Sequence, residues 1–163
     1  MAEEDKICPY VDIPLQHIAP GILRRMRRPS DPDAVYRVIE RLRENIPDLA
    51  LRTTFMVGFP GETEEDFHLL QDFISDIEFD RMGVFKYSPV DGTPAAIIEG
   101  GVPEEVKENR RHQLMKLQQE ISLRRNQGWV GRTVDVMLEG FDKNRAFGRS
   151  SREAPEIDGL IYF

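Results

Sequence analysis

Between Thr54 and Phe67 a strand pattern passes through a glycine turn straight into a helix start, and that order constrains the fold more than any other feature. Leu51, Thr53, Phe55 and Val57 alternate with Arg52, Thr54 and Met56, the two-residue period of a strand. Gly58-Phe59-Pro60-Gly61 turns the chain. Thr63 then opens a helix, with Asp66 placed to complete a loose capping box. Phe67, Leu70, Ile74 and Ile77 give that helix one apolar face.

The same alternation continues on both sides. Ile7 to Ile13 is short and rich in β-branched and aromatic residues, so it reads as a strand, with Pro9 tolerable near its start. Pro14 and Pro20-Gly21 break it, and a short basic helical piece is expected over Ile22 to Arg28. Ser30-Asp31-Pro32 starts a helix whose apolar positions are Val35, Val38, Ile39, Leu42 and Ile46, and Pro47 ends it. Met82 to Tyr87 is a third strand, closed by Pro89 and Asp91-Gly92. Pro103 begins a long helix to about Gln127, with Leu114, Leu117 and Ile121 as its stripe.

Strands alternating with helices predict an α/β fold with a parallel sheet and right-handed connections. Three strands are too few to close a barrel of about eight, so the pattern reads as part of a larger one. After Gly128 the texture changes. Thr133 to Leu138, Arg145 to Arg149 and Leu160 to Phe163 look like short strands with polar turns, the pattern of a small β-domain. The expected division is residues 1–128 and residues 129–163, and the second unit reads as cut short within an apolar run at Phe163.

Hydrophobic residues make up 40% and charged residues 31% of the 163, an ordinary globular balance. No apolar run approaches the roughly 18 residues of a membrane span, and the acidic start Met1 to Asp5 has no apolar signal core. The expectation is a cytoplasmic protein with no membrane partner. A net charge of −7 favours a basic partner over nucleic acid. Cys8, as the single cysteine, excludes disulfide scaffolds and multi-cysteine metal sites, and a lone cysteine of this kind is expected in the core.

Two readings stand beside each candidate motif. In parallel α/β sheets ligands sit at the carboxyl ends of strands, and Gly58 allows backbone to approach one closely. The plain alternative is a βα turn whose acids complement the helix dipole, and those acids make the turn a poor phosphate cradle. Gln16 and His17 lie just beyond a strand end, but His17, His68 and His112 are scattered and make no metal site. Arg24, Arg25, Arg27 and Arg28 either hold an anion or form a solvated face. Tyr87 and Ser88 either frame a flat base or sit at a barrel rim. No nucleophile–base pair emerges from spacing, so no catalytic residue is assigned.

Taken in order, Asp12-Ile13-Pro14-Leu15-Gln16-His17, Met26-Arg27-Arg28-Pro29, Gly58-Phe59-Pro60-Gly61-Glu62-Thr63 and Phe85-Lys86-Tyr87-Ser88-Pro89 resemble the second half of the barrel of radical S-adenosylmethionine methylthiotransferases. Gly148-Arg149-Ser150 and Ala154-Pro155-Glu156-Ile157-Asp158-Gly159 resemble the start of the TRAM domain in the branch that modifies a ribosomal-protein aspartate. Relatives acting on transfer RNA usually carry Gln-Ser-Gly-Ser where this chain has Gln16-His17-Ile18-Ala19, and an acid where Thr54 stands.

The resemblance implies methylthiolation of an aspartate β-carbon of small-subunit ribosomal protein twelve, with S-adenosylmethionine and two four-iron clusters as cofactors. It places Gln16, Arg27, Thr54, Gly58 and Tyr87 around the S-adenosylmethionine, and TRAM residues against the protein substrate. Nucleic acid is not expected as the direct substrate. The family binds its clusters through cysteines in an amino-terminal half, and Cys8 cannot replace them because such clusters need several thiolates. The chain alone is therefore expected to be inactive. A transfer-RNA methylthiotransferase fragment and a non-catalytic ribosomal-protein-binding module are the alternatives.

Overall fold

The computed structural model describes residue 4 and residues 6–163, so the acidic start over Met1 to Glu3 and Asp5 lies outside the described residues. Two sheets form. The first is parallel, in the order β1 (Tyr10–Gln16), β2 (Ala50–Val57), β3 (Arg81–Lys86). Between these strands run α1 (Pro20–Arg25), α2 (Pro32–Asn45) and α3 (Glu64–Ile77). A short 3-10 turn (Pro94–Ile97) and α4 (Glu104–Gln127) follow. The second sheet is antiparallel, in the order β4 (Met137–Asp142), β5 (Arg145–Arg149), β6 (Ile161–Tyr162).

The core lies between the first sheet and its helices. Leu51, Thr53, Phe55 and Val57 are the buried face of β2, and Phe67, Leu70, Phe73, Ile74 and Ile77 answer from α3. Phe55, Phe73 and Phe79 meet edge-on or tilted at centroid distances of 5.9–6.2 Å, the spacing at which aromatic pairs add to simple burial. Leu114 and Ile121 bring α4 onto the same core. Helix α3 starts as its sequence demands: the Thr63 hydroxyl accepts from the Asp66 amide, and the Asp66 carboxylate accepts from the Thr63 amide.

The other face of the parallel sheet carries Arg52, Thr54 and Met56, which are only partly buried. At its amino end this face meets the segment around the second sheet. The Tyr10 hydroxyl donates to Asp158 at 2.7 Å, Arg81 pairs with Glu153 at 3.1 Å, and Arg152 pairs with the buried Asp80 at 2.8 Å.

Some expectations are corrected. The first strand is Tyr10–Gln16 rather than Ile7–Ile13 and runs through Pro14, which an edge strand tolerates at an irregularity in its pairing between Ile13 and Gln16. The fourth strand begins at Met137, not Thr133. The short helix spans Pro20–Arg25 instead of Ile22 to Arg28, because Pro20 suits a first turn. Val38, placed on the apolar face of α2, is 51% exposed. Cys8 is exposed rather than in the core, since it precedes β1 on the approach to the sheet.

Candidate functional site at the carboxyl edge of the parallel sheet

The chain reverses at the carboxyl end of each parallel strand, and two of those reversals need a left-handed backbone. Gln16 ends β1 at φ +71°, and Gly58 follows β2 at φ +75°. Tyr87 follows β3, and its amide donates to the Val57 carbonyl at 2.9 Å, drawing the ends of β2 and β3 together. Tyr87 also packs edge-on against Phe59 at 5.0 Å. Around Phe59 gather Ala19, Ile22, Met26, Met56, Ala95 and Ile98, a small apolar cluster apart from the main core.

Glu62 organises this edge. It is buried, and its carboxylate accepts from the amides of Gly58 and Phe59, the latter at 3.2 Å, and from Arg110 at 2.9 Å. Arg110 reaches on to Glu64, also at 2.9 Å. Burial pushes the Glu62 carboxyl above the usual carboxylate range, against the opposing pull of Arg110 and the two amides. Both loop amides are thereby occupied, which is the physical reason this glycine turn is not a phosphate cradle.

Gly58 is required by a neighbour within the fold: a Cβ there would lie 2.2 Å from Cγ of Lys107. Lys107 lays its stem across the glycine and donates to the Tyr87 carbonyl at 3.0 Å, so α4 clamps the ends of β2 and β3. Gly61, at φ +81°, is likewise crossed by Arg25, whose guanidinium donates to the Pro60 carbonyl at 2.9 Å.

Gly58 and Tyr87 are brought together, with Gln16 at the end of the neighbouring strand. Thr54 lies further back on β2, opposite Gly83, on the partly buried face. Arg27 follows α1 at φ +56° with its side chain exposed. All four arginines of the basic cluster are exposed, and Arg25 and Arg28 also tie loops through the carbonyls of Pro60 and Pro14. Ser88 is exposed.

Among the described residues, three buried polar atoms near this edge lack a hydrogen-bond partner: the Tyr87 hydroxyl, Nε2 of His17 and Nε of Arg110. His17 is 1% exposed, and its Nδ1 accepts from the Ala19 amide at 2.9 Å. The neutral ring therefore carries its proton on Nε2. Burial pushes its pKa down to about 4. Reading residues one at a time missed Glu62, Lys107 and Arg110. Glu62 sits inside the glycine motif and looked like one more helix-dipole acid. Lys107 and Arg110 come from α4, and no local signal announces what they touch.

An unpartnered hydroxyl at a strand-end edge fits a polar ligand group. Iron–sulfur clusters do not fit the chain by itself: it has one cysteine, and among the described residues no group of three or more His, Cys, Asp or Glu could hold a metal.

The family model of the Radical SAM superfamily matches residues 1–74, and that of the TRAM domain matches residues 130–163. The chain is 51% identical over 159 residues to ribosomal protein uS12 methylthiotransferase RimO of Histophilus somni, covering 98% of this chain and 36% of the relative. The protein of the same name from Thermus thermophilus is 51% identical, with 98% and 37% covered. That from Pectobacterium atrosepticum is 54% identical, with 98% and 36% covered. The chain thus spans about 36–37% of the length of these curated relatives. Among solved structures, coproporphyrinogen III oxidase (HemN) from Escherichia coli, described as a radical SAM enzyme, superposes with a TM-score of 0.59. At 12% identity, over 88% of this chain and 39% of that one, the likeness shows the fold alone. The α/β unit is a portion of a radical SAM barrel, followed by a TRAM segment. No helix of the described residues is long and apolar enough to cross a membrane.

Proposed function

We propose, for a chain that belongs to the ribosomal protein uS12 methylthiotransferase family, that it forms one side of the S-adenosylmethionine site of such an enzyme together with the start of its substrate-facing TRAM domain. The observation that carries the reading is the match along almost the whole chain at 51–54% identity. The division remains residues 1–128 for the barrel portion and residues 129–163 for the TRAM portion. The working enzyme needs a further, amino-terminal portion. Its substrate is the ribosomal protein, its product a methylthiolated aspartate, and its compartment the cytoplasm.

At the carboxyl edge, Gln16, Gly58 and Tyr87 border the ligand, Thr54 lies deeper on the same sheet, and Arg27 stands at the outer rim. The buried Tyr87 hydroxyl meets a polar group of the ligand that ends its lack of a partner. Phe59 packs edge-on against the Tyr87 ring and so holds that hydroxyl in place. Glu62, Arg110 and Lys107 do not touch the ligand; they hold the loop that does. Gln16, Gly58 and Tyr87 would border S-adenosylmethionine, which would supply hydrogen-abstraction chemistry on one-electron reduction by a cluster held in the amino-terminal portion. The chain has no thiolate set for such a cluster, so alone it is inactive.

Reconstitution tests this. The chain is mixed, anaerobically and with iron, sulfide and reductant, with the amino-terminal portion of the Thermus thermophilus relative, and 5′-deoxyadenosine is measured. Product from the mixture and none from the chain alone is expected. Iron-dependent cleavage by the chain alone overturns the inactive reading, and a mixture that assembles on gel filtration yet forms no product overturns the site.

A further inference from the structure

At the opposite, amino end of the parallel sheet the carboxyl ends of α2, α3 and α4 converge on a cleft of about 690 Å³. Five arginines line it: Arg43, Arg124, Arg125, Arg132 and Arg152. They face three carboxylates. Arg124 pairs with Glu78 at 2.7 Å and Arg132 with Asp48 at 3.0 Å. Asp80, 2% exposed, is shared: Arg125 engages both of its oxygens at 3.0 and 3.1 Å, and Arg152 adds a bond at 2.8 Å. Among the described residues, Arg43 bonds no carboxylate directly and donates to the carbonyls of Ile77 and Glu78 at the end of α3. Trp129, the single tryptophan, lies between Arg132 and Arg152, with guanidinium carbons 4.5 and 4.0 Å from its ring centroid.

Positive charge is in surplus here, in a chain whose net charge is −7. Burial lowers the pKa of both Arg43 and Arg152; Arg125 lowers each further, while Asp80 opposes the shift at both, with Glu78 helping at Arg43 and Glu153 at Arg152. The plain alternative is an ion-pair web that caps helix ends, and it accounts for Asp48, Glu78 and Asp80. It leaves Arg43 bonded to backbone carbonyls alone among the described residues, with Asp80 and Glu78 as its opposing charges, and five guanidinium groups against three carboxylates. Guanidinium accepts nothing, and an acceptor-rich anion offers both the acceptor oxygens and the negative charge that water cannot. The helix carboxyl ends offset part of the surplus, and Asp48 and Glu78 would repel charges placed on either side. One anionic group fits, and a tight run of several does not.

We infer that this arginine- and tryptophan-lined cleft is a binding site for a single phosphate group, distinct from the strand-end edge. The same chemistry is offered by free phosphate and by one phosphate of a nucleic-acid backbone. Trp129 reports occupancy, because an anion drawing Arg132 or Arg152 off its ring changes its emission.

The test uses the whole chain, titrated at constant ionic strength with inorganic phosphate, with an RNA octanucleotide, and with chloride as the control. Saturable change in Trp129 emission with phosphate or with the octanucleotide is expected. The octanucleotide alone saturating, with a salt-dependent midpoint, assigns the phosphate to nucleic acid. Inorganic phosphate saturating alone assigns it to a free ion. Arg43→Gln and Arg132→Gln each weaken the response by at least about tenfold. Arg132 is half exposed, so its variant keeps the fold, which the thermal midpoint verifies. Responses indistinguishable from chloride, or folded variants that bind as tightly as the parent, overturn the inference.

Discussion

Replacing Glu62 tests whether the strand-end loop is held by one buried carboxylate. Glu62→Ala removes the acceptor for two loop amides and the charge partner of Arg110, whose side chain is 7% exposed. Removing one partner of a buried ion pair costs about 3–5 kcal/mol. Arg110 keeps Glu64 at 2.9 Å, which places the expected loss near the lower end, about 3 kcal/mol. Glu62→Gln keeps one acceptor oxygen and should lose roughly 1–2 kcal/mol. Arg110→Met alone leaves a buried carboxylate uncompensated. In the double variant Glu62→Gln/Arg110→Met neither charge is stranded, so the two losses should fall short of additivity by about 1–2 kcal/mol. Urea unfolding followed by far-ultraviolet circular dichroism gives each value from the midpoint and slope. A loss under about 1 kcal/mol for Glu62→Ala, or a cycle additive within about 0.5 kcal/mol, refutes the reasoning.

Gly58→Ala should lose at least about 1–2 kcal/mol from the left-handed backbone alone, and more from contact with Lys107; pairing it with Lys107→Ala should recover only the contact, as urea midpoints will read. His17 has a folded pKa of about 4 against 6.5 unfolded, so the unfolded chain binds the extra proton and stability falls as pH drops from about 6.5 through 4. That loss reaches roughly 3 kcal/mol and is absent from the pH profile of His17→Gln, whereas parallel profiles contradict it. Tyr10→Phe removes the hydrogen bond to Asp158 and should lower stability by about 1–2 kcal/mol while raising proteolysis within residues 150–163; unchanged cleavage counts against that tie. Met137, Leu138, Phe141 and Phe163 are 52–71% exposed and both sheets have open edges, so the isolated chain should self-associate. A sharp monomeric peak on gel filtration with cooperative unfolding opposes this.

The parallel sheet was legible because its periods are clean. Leu51 to Val57 alternates strictly, and the helix after Thr63 carries both its cap and its apolar face within one short stretch. The ends of β1 and β4 were less legible for physical reasons. Pro14 looks like a breaker, yet β1 is an edge strand whose pairing slips at that place. Thr133 to Val136 has strand composition but no partner, since β5 pairs from Met137 onward. At the site, the glycine turn could be read, but its tenant could not. Lys107 crosses Gly58, and Arg110 meets Glu62, only because α4 folds back over β3. A charged residue on a helix shows its chain neighbours, not the loop it will meet. Cys8 is exposed for a similar reason: burial depends on what lies beside β1, which a count of cysteines does not reveal.

The carboxyl edge of the parallel sheet is proposed as one wall of an S-adenosylmethionine site. Hydrogen–deuterium exchange of the reconstituted pair, with and without S-adenosylmethionine, tests it most directly. Slowed exchange in residues 14–18, 54–61 and 84–90, with residues 137–149 unchanged, is the predicted result. Protection confined to the amino-terminal portion, with those three segments exchanging as before, would contradict it.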